Sequence, residues 1–335
     1  MITVFILILS IVFSGCLQTP SENSHNNKKP NIPRETIYVG HDSNEDFQNI
    51  QDAINAAKNG DTIYVQEGRY YGTLYINKTL NLISAGENKS YIIGNNTQLL
   101  SRITIIQLNA DNCSVDGFII TMNGSTISVG INIRSSNNTI INNTITNTTE
   151  GIFIENNTQK NTIIWNNITN SLYGIKVESS LKNTFAHNSI TSNSLYGIYI
   201  SYSSDQNIVY NNTFYKNNFG LRIKGSSDNK IFYNCFINNS WGLYLCCSAY
   251  YNTIYNNVFK LNNESNVYEN KGLINYFNVS SDGGNYYDDY TGVDSNNDGF
   301  GDTPYYIKDS GNQDSKPLIK PINFPSYKDI DYKSS

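Results

Sequence analysis

From residue 138 to residue 260 the chain repeats one pattern of apolar and polar positions: Asn138 opens NTIINNTI, Asn161 NTIIWNNI, Asn183 NTFAHNSI, Asn207 NIVYNNTF, Asn229 NKIFYNCF and Asn252 NTIYNNVF. The blocks recur every 22 to 24 residues. Five positions after each opening Asn stands another, at Asn143, Asn166, Asn188, Asn212, Asn234 and Asn257, so two Asn columns recur in register. Each block then reaches a Gly followed by alternating apolar residues, as in Gly151-Ile-Phe-Ile, Gly174-Ile-Lys-Val, Gly197-Ile-Tyr-Ile, Gly220-Leu-Arg-Ile and Gly242-Leu-Tyr-Leu. Alternation with period two predicts short strands with one buried face, and Gly is expected to supply the turn that feeds each strand. No stretch between strands has the length of a crossover helix, so parallel strands can stack only if the chain winds as a solenoid. The expected fold is an all-β, right-handed parallel β-helix of 22 to 24 residue coils. Asn side chains stacked about 4.8 Å apart can hydrogen-bond in ladders, which explains their recurrence at turns. A leucine-rich horseshoe has an overlapping period, but its Leu spacing is absent.

Both ends of a solenoid need covers against edge pairing. Phe47, Ile50, Ile54 and Ala57 form an apolar stripe on a predicted helix ending near Gly60, suited to the N-terminal end. The repeat fades over the last sixty residues. The expected organisation is therefore a signal over residues 1–16, a tether over 17–35, the β-helix over 36–275 and an irregular C-terminal cap over 276–335. The signal rests on the apolar run Ile2 to Phe13, too short to span a bilayer, followed by Ser14-Gly15-Cys16. Such a segment predicts export and a lipid on Cys16, which would place the protein on the extracellular face of the cell membrane. No Lys or Arg precedes the run, unlike most such signals.

Composition narrows the partners. With 39% hydrophobic residues among 335 the chain can bury a large core, while 15% charged residues and a net charge of −5 leave no basic patch for nucleic acid. Besides Cys16 there are Cys113, Cys235, Cys246 and Cys247, too few for a disulfide scaffold. The last three fall on one predicted coil beside Trp241, where a disulfide from Cys235 to one of the adjacent pair, or simple packing, is expected over a soft-metal site. Export makes the Asn-x-Ser/Thr sites meaningful as glycosylation acceptors, among them Asn77, Asn88, Asn123, Asn167, Asn211 and Asn278.

Outward positions of the strands after each Gly form two surface columns. One holds Asn132, Phe153, Lys176, Tyr199, Arg222 and Tyr244, and the other Arg134, Glu155, Glu178, Ser201, Lys224 and Cys246. Aromatic, acidic and basic side chains mixed along a rod suit a polysaccharide, since rings stack on sugars and charges bond hydroxyls or carboxylates. The alternative is a solvated sheet face whose charges compensate one another. Glu155 and Glu178, with Lys176 beside them, are weak catalytic candidates, because retaining glycosidases place two carboxylates about 5 Å apart. His187 occupies a turn position otherwise held by Asn142, Trp165, Asn211, Tyr233 or Asn256, and reads as an ordinary corner residue. No Ser-His-Asp set, phosphate loop or zinc spacing is visible. In the cap, Asp294, Asn296, Asp298 and Asp302 surround Gly299 at the spacing that opens a calcium loop, with Tyr305 where the bidentate Glu would stand. Asp302, Asp288 or Asp289 would have to complete that shell.

The stretch IQDAINAAKNGDTIYVQEGRYYGTLYINKTLNLISAG from Ile50, the Asn/Gly coils and the ending GNYYDDYTGVDSNNDGFGDTPYYI together resemble the NosD-type periplasmic copper-binding family, within the pectin-lyase-like β-helix superfamily. The resemblance covers nearly everything after residue 36 and implies a β-helix that handles copper during maturation of a copper enzyme. The superfamily hosts lyases, hydrolases, epimerases and binding proteins, so it fixes the fold more than the activity. The three His, at 25, 41 and 187, and the two Met form no copper-binding tract. The expected function is a non-catalytic surface protein that binds glycans or envelope components. The alternatives are a polysaccharide lyase or hydrolase and a copper-maturation accessory.

Overall fold

The computed structural model describes residues 35–42, 44–85, 89–95, 102–124, 127–279 and 283–322. Cys16 and the expected signal and most of the tether lie outside these residues. The chain winds as a right-handed parallel solenoid with three parallel sheets running its length. Sheet 1 has ten strands, from Thr36–Val39 to Thr253–Tyr255, sheet 2 ten, from Arg69–Tyr71 to Tyr286–Tyr287, and sheet 3 nine, from Leu74–Ile76 to Ser265–Glu269. Among the described residues no helix is long and apolar enough to cross a membrane.

A three-residue strand turns because the next residue adopts a left-handed backbone. At one corner this residue is Asn142, Trp165, His187, Asn211, Tyr233 or Asn256, with φ between 53° and 59°. His187 is thus a corner residue, as its position in the repeat suggests. The residue after each of these is a fully buried Asn, and here the ladders form. Asn143 donates from its backbone N and Nδ2 to Oδ1 of Asn166 at 3.0 and 3.2 Å, and Asn166, Asn188, Asn212 and Asn234 repeat this onto the next coil. A second ladder runs from Asn138 to Asn275. A third, from Asn193 through Asn217 and Asn239 to Asn262, was not visible in the repeat.

Because every Asn donates in one direction, each ladder must end on a strong acceptor, and each ends on carboxylate. Asn275 donates to Glu269 at 2.5 Å. The first ladder passes from Asn257 to Asn285, which meets Asp314 through its backbone N at 2.7 Å. Asn262 passes its bond through Asn266 to Asp288 and Asp289 at 2.9 and 2.8 Å. The C-terminal segment therefore closes the polar ladders as well as the apolar core, where the stack Phe214, Phe236, Phe259, Tyr287, Tyr305 continues into it.

The Gly column differs from expectation. Gly130, Gly151 and Gly174 lie inside sheet 3 strands at φ outside the left-handed region, and a Cβ there would meet the carbonyl of the next coil's Gly at 2.5 Å. Close approach of stacked backbones selects Gly at this position. The N-terminal helix is shorter than expected, Ile50–Ala56, capped by Asn49, which accepts from Gln51 and Asp52. Ile50, Ala53 and Ile54 face the core, Phe47 pairs with Val39 outside the helix, and Lys78 donates to the carbonyls of Ile54, Asn55 and Ala57 at its other end.

Candidate functional site

Sheet 3 has the longest strands and carries the first expected column in register, Asn132 beside Phe153, then Lys176, Tyr199, Arg222, Tyr244 and Tyr268; in the second expected column Ser201 and Cys246 are buried rather than outward. Because the strands starting at Glu150, Tyr173, Tyr196, Phe219 and Trp241 each begin one residue before a Gly, a further outward column joins them, running Glu150, Tyr173, Tyr196, Phe219, Trp241 and, before Asn266, Ser265. This column is a consequence of the Gly lying within the strand. Its signal was the aromatic residue preceding four of the repeated glycines.

The N-terminal part of this face is charged and internally neutralised. Lys176 Nζ lies 3.0 Å from Glu178 and 3.3 Å from Glu150, and Glu150 also pairs with Arg102. Burial opposes the Lys176 charge, but hydrogen bonds and Coulomb attraction from Glu178 and Glu150 more than offset it, so its pKa lies above the usual lysine range. Glu155 pairs with Arg134 at 2.9 Å and accepts from Asn132 at 2.8 Å. Glu155 and Glu178 are thus each tied to a separate cation. Phe153 is only 6% exposed, with Arg102 and Lys176 at 4.9 and 4.7 Å from its ring centre, so its ring is not free to take a sugar as the sequence suggested.

Toward the C-terminal end the face becomes aromatic. Tyr196 stacks on Tyr199 at 4.8 Å and Tyr244 on Tyr268 at 4.5 Å, while Trp241 stands at 82° to both Tyr244 and Tyr268. Tyr173, Tyr199, Phe219, Trp241, Tyr244 and Tyr268 are all partly exposed. Burial pushes the Tyr199 and Tyr244 phenols up to about 12. Arg222 lies among these rings, and Ser201 turns its hydroxyl onto the Val177 carbonyl. The face runs into a polar cavity of about 600 Å³ in the cap, lined by Ser265, Asn266, Asp289, Tyr305 and Lys308 among others. Lys308 joins the two, with Nζ 5.4 Å from the Trp241 ring centre.

Among the described residues the cysteines do not pair. Cys113, Cys235 and Cys246 are buried free thiols and Cys247 an exposed one. Cys235 lies on sheet 2 and Cys246 on sheet 3, which separates the expected disulfide partners onto different faces. Burial pushes the Cys235 thiol up to about 12 and raises that of Cys246. His41 stacks on Tyr70 at 5.0 Å and His187 on Trp165 at 4.2 Å. Among the described residues no three His, Cys, Asp or Glu side chains are grouped as a metal site.

In the Asp-rich loop the carboxylates bind backbone. Asp294 accepts from the N–H of Asp298 and Gly299 at 3.1 and 2.9 Å, Asp298 from Phe300 at 2.9 Å, and Asp302 from Ser295 at 3.0 Å. The Ser295 hydrogen bonds hold Asp302 below the usual carboxylate range. Asp288 and Asp289 point instead to Asn266.

The profile of a family described as "Periplasmic copper-binding protein (NosD)" matches residues 32–219 and 89–292. Among solved structures, the chain is similar to pectate lyase Pel9A, with a TM-score of 0.55 at 16% identity over 76% of this chain and 75% of that one. It is similar to an alginate lyase from Paenibacillus sp. str. FPU-7, with a TM-score of 0.51 at 17% identity over 70% and 94%. It is also similar to tailspike protein 2 from the Escherichia coli O157:H7 bacteriophage CAB120, with a TM-score of 0.53 at 11% identity over 71% and 35%. These likenesses establish the fold. A search among curated proteins finds no match.

Proposed function

The chain belongs to the NosD family of periplasmic copper-binding proteins, and we propose that it acts in the cell envelope as a non-catalytic glycan-binding protein, with the outward face of sheet 3 as its binding surface. The observation that carries this reading is the continuous run of partly exposed rings, Tyr173, Tyr199, Phe219, Trp241, Tyr244 and Tyr268, interleaved with cations along one parallel sheet. Sugars need flat apolar surface and hydrogen-bonding groups at regular spacing, and a β-helix face supplies both at the strand repeat. A pectate lyase and an alginate lyase among the structural neighbours agree with a polysaccharide ligand.

Binding without turnover is favoured by the titrating groups. Lys176 is held protonated between two carboxylates, and burial moves the phenols of Tyr173, Tyr199 and Tyr244 away from neutral pH. A general base works best with a pKa near the operating pH, and every resolved shift on this face runs the other way. Copper fits poorly. The two described histidines are stacked on aromatic rings at distant coils, and the buried thiols are raised, whereas a soft-metal site needs thiolates gathered together. Calcium in the cap loop would be a structural ion, held by Asp294, Asn296, Asp298 and Asp302. A lipid on Cys16 would anchor the protein to the membrane.

The test is a panel of purified polysaccharides scored for binding and for product release, with parent protein and a Tyr199→Ala/Tyr244→Ala variant. At least one polysaccharide is expected to bind the parent without release of product, and the double variant to lose that affinity while unfolding at a temperature close to the parent's. Affinity retained by the variant would place the site elsewhere, and product release would make the protein an enzyme.

A further inference from the structure

Charged side chains on the outward face of sheet 3 divide into two kinds. Arg102, Arg134 and Lys176 each sit against a carboxylate. Arg222 has none within ion-pair distance among the described residues. It is surrounded by the rings of Tyr196, Tyr199, Phe219 and Tyr244, whose centres lie 5.5, 5.8, 5.6 and 5.2 Å from its guanidinium carbon. Nη1 donates to the Tyr196 hydroxyl at 2.5 Å and Nη2 makes a long contact of 3.6 Å to Cys246 Sγ. Nε is buried with no hydrogen-bond partner.

This is an unusual way to keep a cation. Burial opposes its charge, and the contacts from Cys246 and Tyr196 hold the pKa above the ordinary arginine range, so the guanidinium stays charged. Nothing beside it carries the opposite charge at neutral pH, because burial raises the Cys246 thiol and pushes the Tyr199 and Tyr244 phenols up to about 12. Aromatic rings offset part of the desolvation through cation–π attraction, but they leave the in-plane N–H donors unsatisfied. A planar fork with one orphan donor and one weakly engaged donor matches a two-oxygen anion.

We infer that Arg222 reads a negative charge on the glycan, so that the face selects an acidic polysaccharide bearing carboxylate or sulfate groups. The inference rests on the glycan reading of this face and adds the ligand's charge to it. The anion meets the Nη2 edge of Arg222, the long Cys246 contact and the rings that cover Nε giving way to it, and Tyr199 and Tyr244 flank the sugar on neighbouring coils. Lys176 cannot serve this purpose because Glu150 and Glu178 already neutralise it.

Two matched pairs of probes separate the charge from the sugar and the carboxylate from the sulfate: polygalacturonate oligomers against their methyl esters, and dextran sulfate against dextran. Titration calorimetry on the full protein is expected to show one charged member binding at least about tenfold more tightly than its neutral partner, the scale of a charge-assisted bidentate contact. Arg222→Gln should bring that ratio close to one by weakening the charged member far more than the neutral one, while Arg222→Lys keeps an intermediate preference. Preference within the galacturonate pair identifies a carboxylate, and preference within the dextran pair a sulfate. If neutral members bind and neither pair shows a preference, or if Arg222→Gln keeps the parent's preference, the inference is overturned and the glycan reading stands. If no probe binds but other glycans bind the Tyr199 and Tyr244 face irrespective of charge, the inference alone again fails. If nothing binds, both fail. Thermal unfolding of each variant separates lost recognition from lost fold.

Discussion

Removing one rung of an Asn ladder isolates the device that makes these coils stack. Asn212 is 1% exposed. Its Oδ1 accepts from the backbone N and Nδ2 of Asn188 at 3.0 and 2.9 Å, and its Nδ2 reaches the carbonyls of Phe185 and Tyr210 and Oδ1 of Asn234 at 2.9 to 3.0 Å. Asn212→Ala strands the Asn188 backbone N–H, a buried donor costing about 1–3 kcal/mol. Asn188 Nδ2 keeps its bond to the Ile163 carbonyl, and the Tyr210 carbonyl still accepts from His187, so the other losses are ordinary hydrogen bonds at about 1 kcal/mol each. The sum is about 3–5 kcal/mol. With a urea slope of about 3 kcal/mol/M for a chain of this size, the midpoint should fall by about 1–1.7 M. Asn211 is the control. It sits at the corner with φ 53°, partly exposed, where glycine adopts the same backbone, so Asn211→Gly should stay within about 1 kcal/mol of the parent. Urea unfolding followed by circular dichroism supplies the midpoints. Hydrogen exchange should show the Asn212→Ala loss centred on the neighbouring coils, because each repeat contacts only its neighbours. Equal midpoint shifts in the two variants would refute a stabilising role for the ladder.

Asp314 gives the stability a pH dependence of unusual sign. Burial raises its pKa to about 6 against hydrogen bonds from Asn285, Lys316 and Tyr287, and an unfolded Asp titrates near 3.9. The folded state therefore holds a proton that the unfolded chain has released between about pH 4 and 6, so this group's contribution is full below that window and is lost as pH rises through it, by about 2–3 kcal/mol. Melting temperatures across pH 4 to 7 for parent and Asp314→Asn, which cannot titrate, check this: their difference should change across the window, and a constant difference would contradict it. Ile175→Asp places a charge at a position with 0% exposure and should cost several kcal/mol, read as a lowered melting temperature, and an unchanged one would contradict the inward facing of that strand. Millimolar calcium should raise the melting temperature of the parent and leave the paired Asp294→Ala/Asp298→Ala variant unmoved, since only a ligand of the folded state stabilises it. An equal response in both would remove calcium from the loop. Cys16→Ser should move the protein from the membrane fraction to the soluble one, and continued membrane association would place the anchor elsewhere.

The period and the paired Asn columns were enough to specify the coils, their handedness by analogy and the outward register of Asn132, Phe153, Lys176, Tyr199, Arg222 and Tyr244. Those features follow from backbone repetition, which a sequence displays directly. The Tyr173 to Trp241 column was missed because Gly was assigned to a turn, whereas backbone crowding between coils is what demands it. The third Asn ladder was hidden because Thr148 and Ser171 occupy its earlier coils. Side-chain commitments were the least legible. The distance at which Lys176 meets both Glu150 and Glu178, the burial of Phe153 beneath Arg102 and Lys176, and the isolation of Arg222 all depend on rotamers reaching between coils. The carboxylate ends of the ladders were equally obscure, since Glu269, Asp288, Asp289 and Asp314 come from segments where the repeat is fading or lost.

The claim that sheet 3 is the binding face is tested most directly by oxidative footprinting of the full protein, free and saturated with a polysaccharide that it binds. Tyr199, Tyr244 and Trp241 should be protected in the complex, while Trp165 and Tyr251, exposed at 55% and 50% and lying off this face, should react as in the free protein. Protection of Trp165 or Tyr251 with Tyr199 and Tyr244 unchanged would contradict the account.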